Sequence, residues 1–124
     1  MEAITLSPTE TTPEVVLDKK ASIFKITGRS FPEDSLSFYK PLLNWLIEYS
    51  EDANDPTVLE INLEYFNSGS LKQVFKLLYV IEDIMELGKD AKVIWHFKKN
   101  DELMFQKGQE FKKFLEVPVE LIEH

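Results

Sequence analysis

Between residues 57 and 73 the spacing of apolar positions changes from a strand repeat to a helical one. Leu59, Ile61, Leu63 and Tyr65 alternate with Glu60, Asn62 and Glu64, the two-residue repeat of a strand with one buried face. Asn67, Ser68, Gly69 and Ser70 interrupt it with turn residues. Beyond them Val74, Phe75, Leu78, Ile81 and Met85 recur at helical spacing, predicting an amphipathic helix over residues 71–87 that Gly88 ends. Ser70 and Gln73 make the S-x-x-Q pattern of a capping box, which predicts Ser70 as the helix N-cap and leaves Ser68 as a free hydroxyl just outside the helix. The N–H groups and macrodipole of a helix start favour an anion, so a phosphate on Ser68 is tolerated there and changes the local surface strongly. A serine that only caps or turns is the plain alternative.

The same two periods organise the rest of the chain. Residues 1–13, rich in Thr, Ser, Glu and Pro, hold a short strand at 4–6 and then a loop. Strands at 14–17 and 22–27 flank Asp18-Lys19-Lys20-Ala21, a hairpin pattern. Residues 28–34 read as a loop. A helix follows over 35–49, with Leu36, Tyr39, Leu43, Leu46 and Ile47 near one stripe and Pro41 placed to kink its first turns. Further strands are expected at 58–66, 91–98 and 117–122. A third helix, opened by Asn100 or Asp101, runs to about Leu115, with Phe105, Phe111 and Phe114 expected in the core. Strands covered on both faces read as continuous apolar runs, and here several alternate, so helices are expected mainly on one face. The resulting fold class is a two-layer α/β domain with a mixed, largely parallel sheet and right-handed crossovers, not a doubly wound one.

Composition narrows the function classes. A chain of 124 residues suits one domain spanning 1–124, and 44% hydrophobic residues with nine Phe and two Trp suffice for a core. No apolar run approaches membrane-spanning length, so no direct membrane insertion is expected. The N-terminal residues lack a basic region followed by an apolar core, so cytoplasmic residence is the expectation. The chain has no cysteine, hence no disulfide or thiolate metal site. A formal net charge of −8 argues against nucleic-acid binding and for a protein partner with some basic surface. No Walker loop, dinucleotide-binding glycine pattern or nucleophile elbow is present, and no cofactor or metal is expected. His96 sits mid-strand, facing opposite to Val93, Trp95 and Phe97. It reads as a half-buried structural residue, the alternative being the general base of a small hydrolase or transferase. His124 is isolated from it in sequence, and two isolated histidines do not make a metal site.

Chemistry gathers where parallel strands end. Loops after such strands share the carboxyl edge of the sheet, where ligands and modifications tend to lie. Arg29 and Ser30 follow one strand, Asn67, Ser68 and Ser70 the next, and Lys98, Lys99, Asn100 and Asp101 the third. Arg29, the only arginine, either grips a phosphate on Ser68 in bidentate fashion or pairs with Glu33 or Asp34. Along the predicted helix, Lys72, Gln73, Lys76 and Tyr79 are expected towards solvent or the helix flank. With Arg29, Asn67, Gly69 and Lys98 they make the expected phosphate and partner contacts.

Three stretches carry a family resemblance: TGRSFPEDSLSFYKPLLNWLIEY, LEINLEYFNSGSLKQVFKLLYVIEDI and VIWHFKKNDELMFQKGQEFKKFLEVPVELIE. From about Thr12 onward the chain resembles the SiaC family of bacterial regulatory phosphoproteins, whose fold is similar to the STAS domains of anti-sigma-factor antagonists. The resemblance implies a non-enzymatic partner switch. The unphosphorylated form binds and activates a diguanylate cyclase, which makes cyclic di-GMP. A cognate serine/threonine kinase adds a phosphate that blocks binding, and a PP2C-type phosphatase removes it. The family's phosphoacceptor maps onto Ser68 by its place after E-Y-F-N, with Ser70 as runner-up; serine stands here where the best-known acceptor is threonine. Other readings are an antagonist that releases a sigma factor by binding its anti-sigma kinase, the hydrolase or transferase using His96, and a passive structural subunit.

Overall fold

The computed structural model describes all residues, 1–124. Nine elements follow one another: β1 (Ile4–Leu6), β2 (Glu14–Asp18), β3 (Ile23–Ser30), α1 (Ser35–Ser50), β4 (Thr57–Phe66), α2 (Ser68–Glu86), β5 (Ala91–Phe97), α3 (Glu102–Phe114) and β6 (Val119–Glu123). They build one six-stranded sheet in the order β1-β2-β3-β4-β5-β6. The first three strands are antiparallel, as tight connections allow, and β3 to β6 are parallel because each crossover contains a helix.

Strand alternation sorts the two sheet faces. Val15, Leu17, Phe24, Ile26, Leu59, Ile61, Val93 and Trp95 are buried on the face that carries the helices. The row Val16, Lys25, Glu60, Ile94 and Glu120 runs through the register of β2 to β6 on the other face, and it is only partly covered. The expected two-layer, largely parallel architecture is thus the observed one.

Helix phase departs from the sequence reading in two places. On α1 the buried residues are Tyr39, Leu42, Trp45, Leu46 and Tyr49, while Leu36 and Ile47 are 57% and 47% exposed. Aromatic packing sets this phase. Trp45 and Tyr49 stack at 5.3 Å, the Tyr49 ring lies 4.9 Å from Phe24, and the Trp45 indole N–H donates to the Glu2 carbonyl at 2.7 Å. On α3 only Phe111 of the expected aromatic stripe is buried; Phe105 and Phe114 are exposed. Phe105 and Phe111 stand six positions apart, about 240° around a helix, and cannot share a face. Instead α3 approaches the sheet through Gly108, where a Cβ would meet Trp95 Cδ1 and Leu121 Cδ2 at 2.5 Å each.

Element ends move as well. β3 runs on to Ser30 through residues expected in a loop, because the register shifts between Gly28 and Arg29 with Gly28 at φ +120°. β6 begins at Val119 instead of 117. Asp101 caps α3, its carboxylate accepting the Met104 N–H at 3.1 Å.

Candidate functional site

The carboxyl edge of β3 and β4 meets the starts of α1 and α2. Asn67 is the N-cap of α2, its Oδ1 accepting the Ser70 N–H at 2.8 Å. This corrects the capping box built on Ser70. Asn caps as well as Ser does, and its position three residues earlier adds a turn to the helix. Ser68 is therefore the first residue of α2, not a loop residue, and its side chain is exposed.

Ser70 points the other way, and no part of it reaches solvent. Its Oγ accepts from Ser30 Oγ at 2.9 Å, and Ser30 Oγ lies 2.6 Å from the Tyr39 hydroxyl. Ser35 Oγ stands 3.5 Å from both Ser70 Oγ and Asn67 Oδ1. A backbone bond from Asn67 N to the Ser30 carbonyl at 3.0 Å ties the two strand ends together. Burial pushes the Tyr39 phenol up to about 12, against the lowering effect of its bonds to Ser30 and Ser70. Within the network Gly69 has no room to spare: a Cβ there would meet Ser35 Oγ at 3.0 Å. Ser30 lies at the strand edge where the sequence placed it, and Ser35 and Tyr39 join the site without having been picked out from sequence as its members. The signal was present only as hydroxyl residues at the ends of neighbouring elements, which periodicity does not pair.

The other expected contacts are distributed around this start of α2. Lys72 is exposed and Lys76 half-buried, and Tyr79 is 47% exposed with its ring edge-on to Phe75 at 4.7 Å. Gln73 is buried, not solvent-facing, since it follows Ser70 by three positions on the inward face. Arg29 pairs with neither Glu33 nor Asp34; its guanidinium lies 5.1 Å over the Phe31 ring. Asp34 instead caps α1, and its bonds from Ser37 hold its carboxyl below the usual range. Lys98 reaches Glu64 at 3.4 Å. Beside Ser68 a groove of about 260 Å³ opens, lined by Leu71, Lys72, Phe75 and Phe111.

His96 lies apart from this edge chemistry on the open sheet face. Its Nε2 is 3.9 Å from Glu60 Oε2. Its ring centroid is 5.0 Å from that of His124, so the two histidines, distant in sequence, are neighbours in space. Parallel pairing of β6 with β5 brings them together. Burial lowers the His96 pKa, Glu60 opposes that, and His124 lowers it further. No group of three or more His, Asp or Glu side chains is placed to hold a metal. No helix is long and apolar enough to cross a membrane.

A model of the family described as SiaC family regulatory phosphoprotein matches residues 6–124. The chain belongs to the SiaC family. SiaC of Pseudomonas aeruginosa is 23% identical over the whole of both chains and superposes with a TM-score of 0.90. The SiaC chain in the structure of diguanylate cyclase SiaD in complex with its activator SiaC, from the same organism, is 24% identical. That match covers 98% of this chain and 99% of the other, at a TM-score of 0.90. An uncharacterized protein of Pseudomonas aeruginosa strain UCBPP-PA14 is 24% identical over 100% of this chain and 98% of its own length. At such identities the structural likeness establishes a shared fold. Membership of the SiaC family makes this chain a regulatory protein.

Proposed function

We propose that this SiaC family member is a non-enzymatic partner switch. Its unphosphorylated form binds and activates a diguanylate cyclase, and phosphate on Ser68 blocks that binding. The observation that carries the reading is the opposite fate of two serines in one helical turn: Ser68 is exposed and Ser70 is sealed. In the forward step Ser68 Oγ attacks the γ-phosphorus of ATP, the hydroxyl proton is lost, and the bond to ADP breaks. A PP2C-type phosphatase restores the hydroxyl with water, releasing inorganic phosphate.

The energetics favour a switch that leaves the fold alone. Phosphate adds roughly −1.5 to −2 charge at pH 7. On the first residue of α2 that charge meets free N–H groups and the positive end of the helix, so the modified chain stays folded. A partner surface closing over the same turn must desolvate or repel the charge, and each 1.4 kcal/mol of that cost is about a tenfold loss of affinity.

The test uses the cognate kinase, ATP and phosphopeptide mapping, followed by calorimetric titration into the cognate cyclase. Phosphate is expected on Ser68 and not Ser70. Ser68→Ala is expected to bind like the unmodified chain, and Ser68→Asp more weakly. Phosphate on Ser70 alone overturns the site; equal binding of phosphorylated and unmodified chain overturns the switch.

A further inference from the structure

β6 is an edge strand, paired with β5 on one side only. Its last bonds run from His124 N–H to the Phe97 carbonyl at 3.0 Å and from Lys99 N–H to the His124 carbonyl at 2.8 Å. The residue that makes both bonds also carries an imidazole 5.0 Å from that of His96, with the ring planes 37° apart. The His96 side chain is 17% exposed, and its Nδ1 is buried with no hydrogen-bond partner in the protein. Alternation and register place the charged groups around it on the open sheet face. Glu60 and Glu64 come from β4, Lys92 and Lys98 from β5, and Glu120 from β6. Lys92 pairs with Glu120 at 3.2 Å and Lys98 with Glu64 at 3.4 Å, so these four are matched among themselves. Lys25 on β3, beside Glu60 in the register, pairs with Glu14 at 3.6 Å. Glu60, 3.9 Å from His96 Nε2, has no other cationic partner. His96 thus lies between one carboxylate that favours its charged form and one imidazole that opposes it.

We propose that His96 and His124 form a proton-sensitive latch on the end of β6, closed while His96 is neutral and loosened from β5 when His96 takes up a proton. The latch lies away from the start of α2 and holds whether or not Ser68 is a phosphoacceptor. Linkage gives its sign. In the closed arrangement, burial and His124 hold the His96 pKa below its ordinary value, against the pull of Glu60. Swinging the end of β6 away removes His124 and uncovers the His96 ring, so the open arrangement binds the proton more tightly. A proton on His96 therefore favours opening, and the effect sets in as pH falls below the ordinary value of 6.5. A difference of about half a pH unit between the two arrangements is about a threefold change in the opening equilibrium.

The experiment titrates the His96 ring protons of the full chain by NMR and follows hydrogen exchange at the Lys99 amide, corrected for its intrinsic rate. Lys99 protection is expected to fall at least about threefold between about pH 7.5 and about pH 5.5. His96→Gln is expected to keep that protection equal at the two pH values. His124→Gln is expected to raise the His96 midpoint by about half a unit or more, and Glu60→Gln to lower it. An unmoved His96 midpoint in His124→Gln, shifts of the same sign in His124→Gln and Glu60→Gln, or an undiminished fall of Lys99 protection in His96→Gln overturns the latch. Equal Lys99 protection at the two pH values in the parent chain overturns it as well. So does a fall shared evenly by the amides of β3, β4 and β5, which marks a loss of the whole fold instead of an opening of its edge.

Discussion

Replacing Ser70 by Asp tests whether the hydroxyl network is closed, with Ser68→Asp as the internal control. Both positions lie in the first turn of α2, where an added acid gains about 0.3–1 kcal/mol from the helix macrodipole. That contribution cancels in the comparison and leaves burial as the difference. Ser68 is exposed, so Ser68→Asp is expected to match or slightly exceed the parent in stability. Ser70 has no exposed surface, and its Oγ lies 2.9 Å from Ser30 Oγ with no basic side chain bonded to the network. An uncompensated buried charge costs about 3–5 kcal/mol, a large share of the roughly 5–15 kcal/mol that holds a domain folded. For a chain of this size the loss corresponds to a fall in Tm of roughly 10–25 °C. Urea denaturation followed by circular dichroism and tryptophan fluorescence measures it. The pH dependence identifies the cause. Burial raises the pKa of the introduced carboxyl above its unfolded value near 3.9, so the deficit is full above the raised value and shrinks as the pH falls toward 3.9. If the two variants agree to within about 1 kcal/mol at neutral pH, the network is not sealed and Ser70 returns as a phosphoacceptor.

Two further expectations concern the scaffold. Gly108→Ala gains about 1 kcal/mol of helix propensity but sets a methyl 2.5 Å from Trp95, which is held by its own N–H bond to the Met104 carbonyl at 2.9 Å. Overpacking of this kind costs about 1–3 kcal/mol, so a net loss is expected in urea denaturation, and a more stable variant would refute the close approach of α3. His96 has a lowered pKa in the fold, so below the ordinary value of 6.5 the unfolded chain takes up this proton first and stability falls with falling pH. His96→Gln is expected to flatten the stability profile just below pH 6.5, and an unchanged slope would remove His96 as its source.

Legibility in the sequence followed the strength of the local pattern. The β4–α2 unit was plain because two periods abut across four turn residues, and Ile4–Leu6 and the hairpin read correctly from short alternating runs. The phase of α1 was not, because Leu36, Leu43 and Ile47 satisfy the helical spacing as well as Leu42, Trp45 and Tyr49 do; tertiary aromatic packing on Phe24 decides between the stripes. At the start of α2, the exposed position of Ser68 was legible from its turn residues. Ser30 was legible as a strand-end residue at the same edge, but its bonds to Tyr39 and Ser70 were not, since they depend on how β3, α1 and α2 meet.

The cap position gives the proposed switch its geometry. With Ser70 as N-cap, Ser68 would sit in a loop and its direction would be set by the loop. With Asn67 as N-cap, Ser68 and Ser70 are both helical and about 200° apart around the axis, so one must face out when the other faces in. The inward hydroxyl is fixed by Ser30 and, through it, by Tyr39, and that fixes the outward one. The small Gly69 between them lets α1 press Ser35 against the same turn. The turn thereby holds a solvent-facing hydroxyl at the positive end of a helix, through bonds that a phosphate on Ser68 would not touch. A chemical change at that hydroxyl then registers at the surface of α2 without first unfolding what holds it, the property a reversible interaction switch requires.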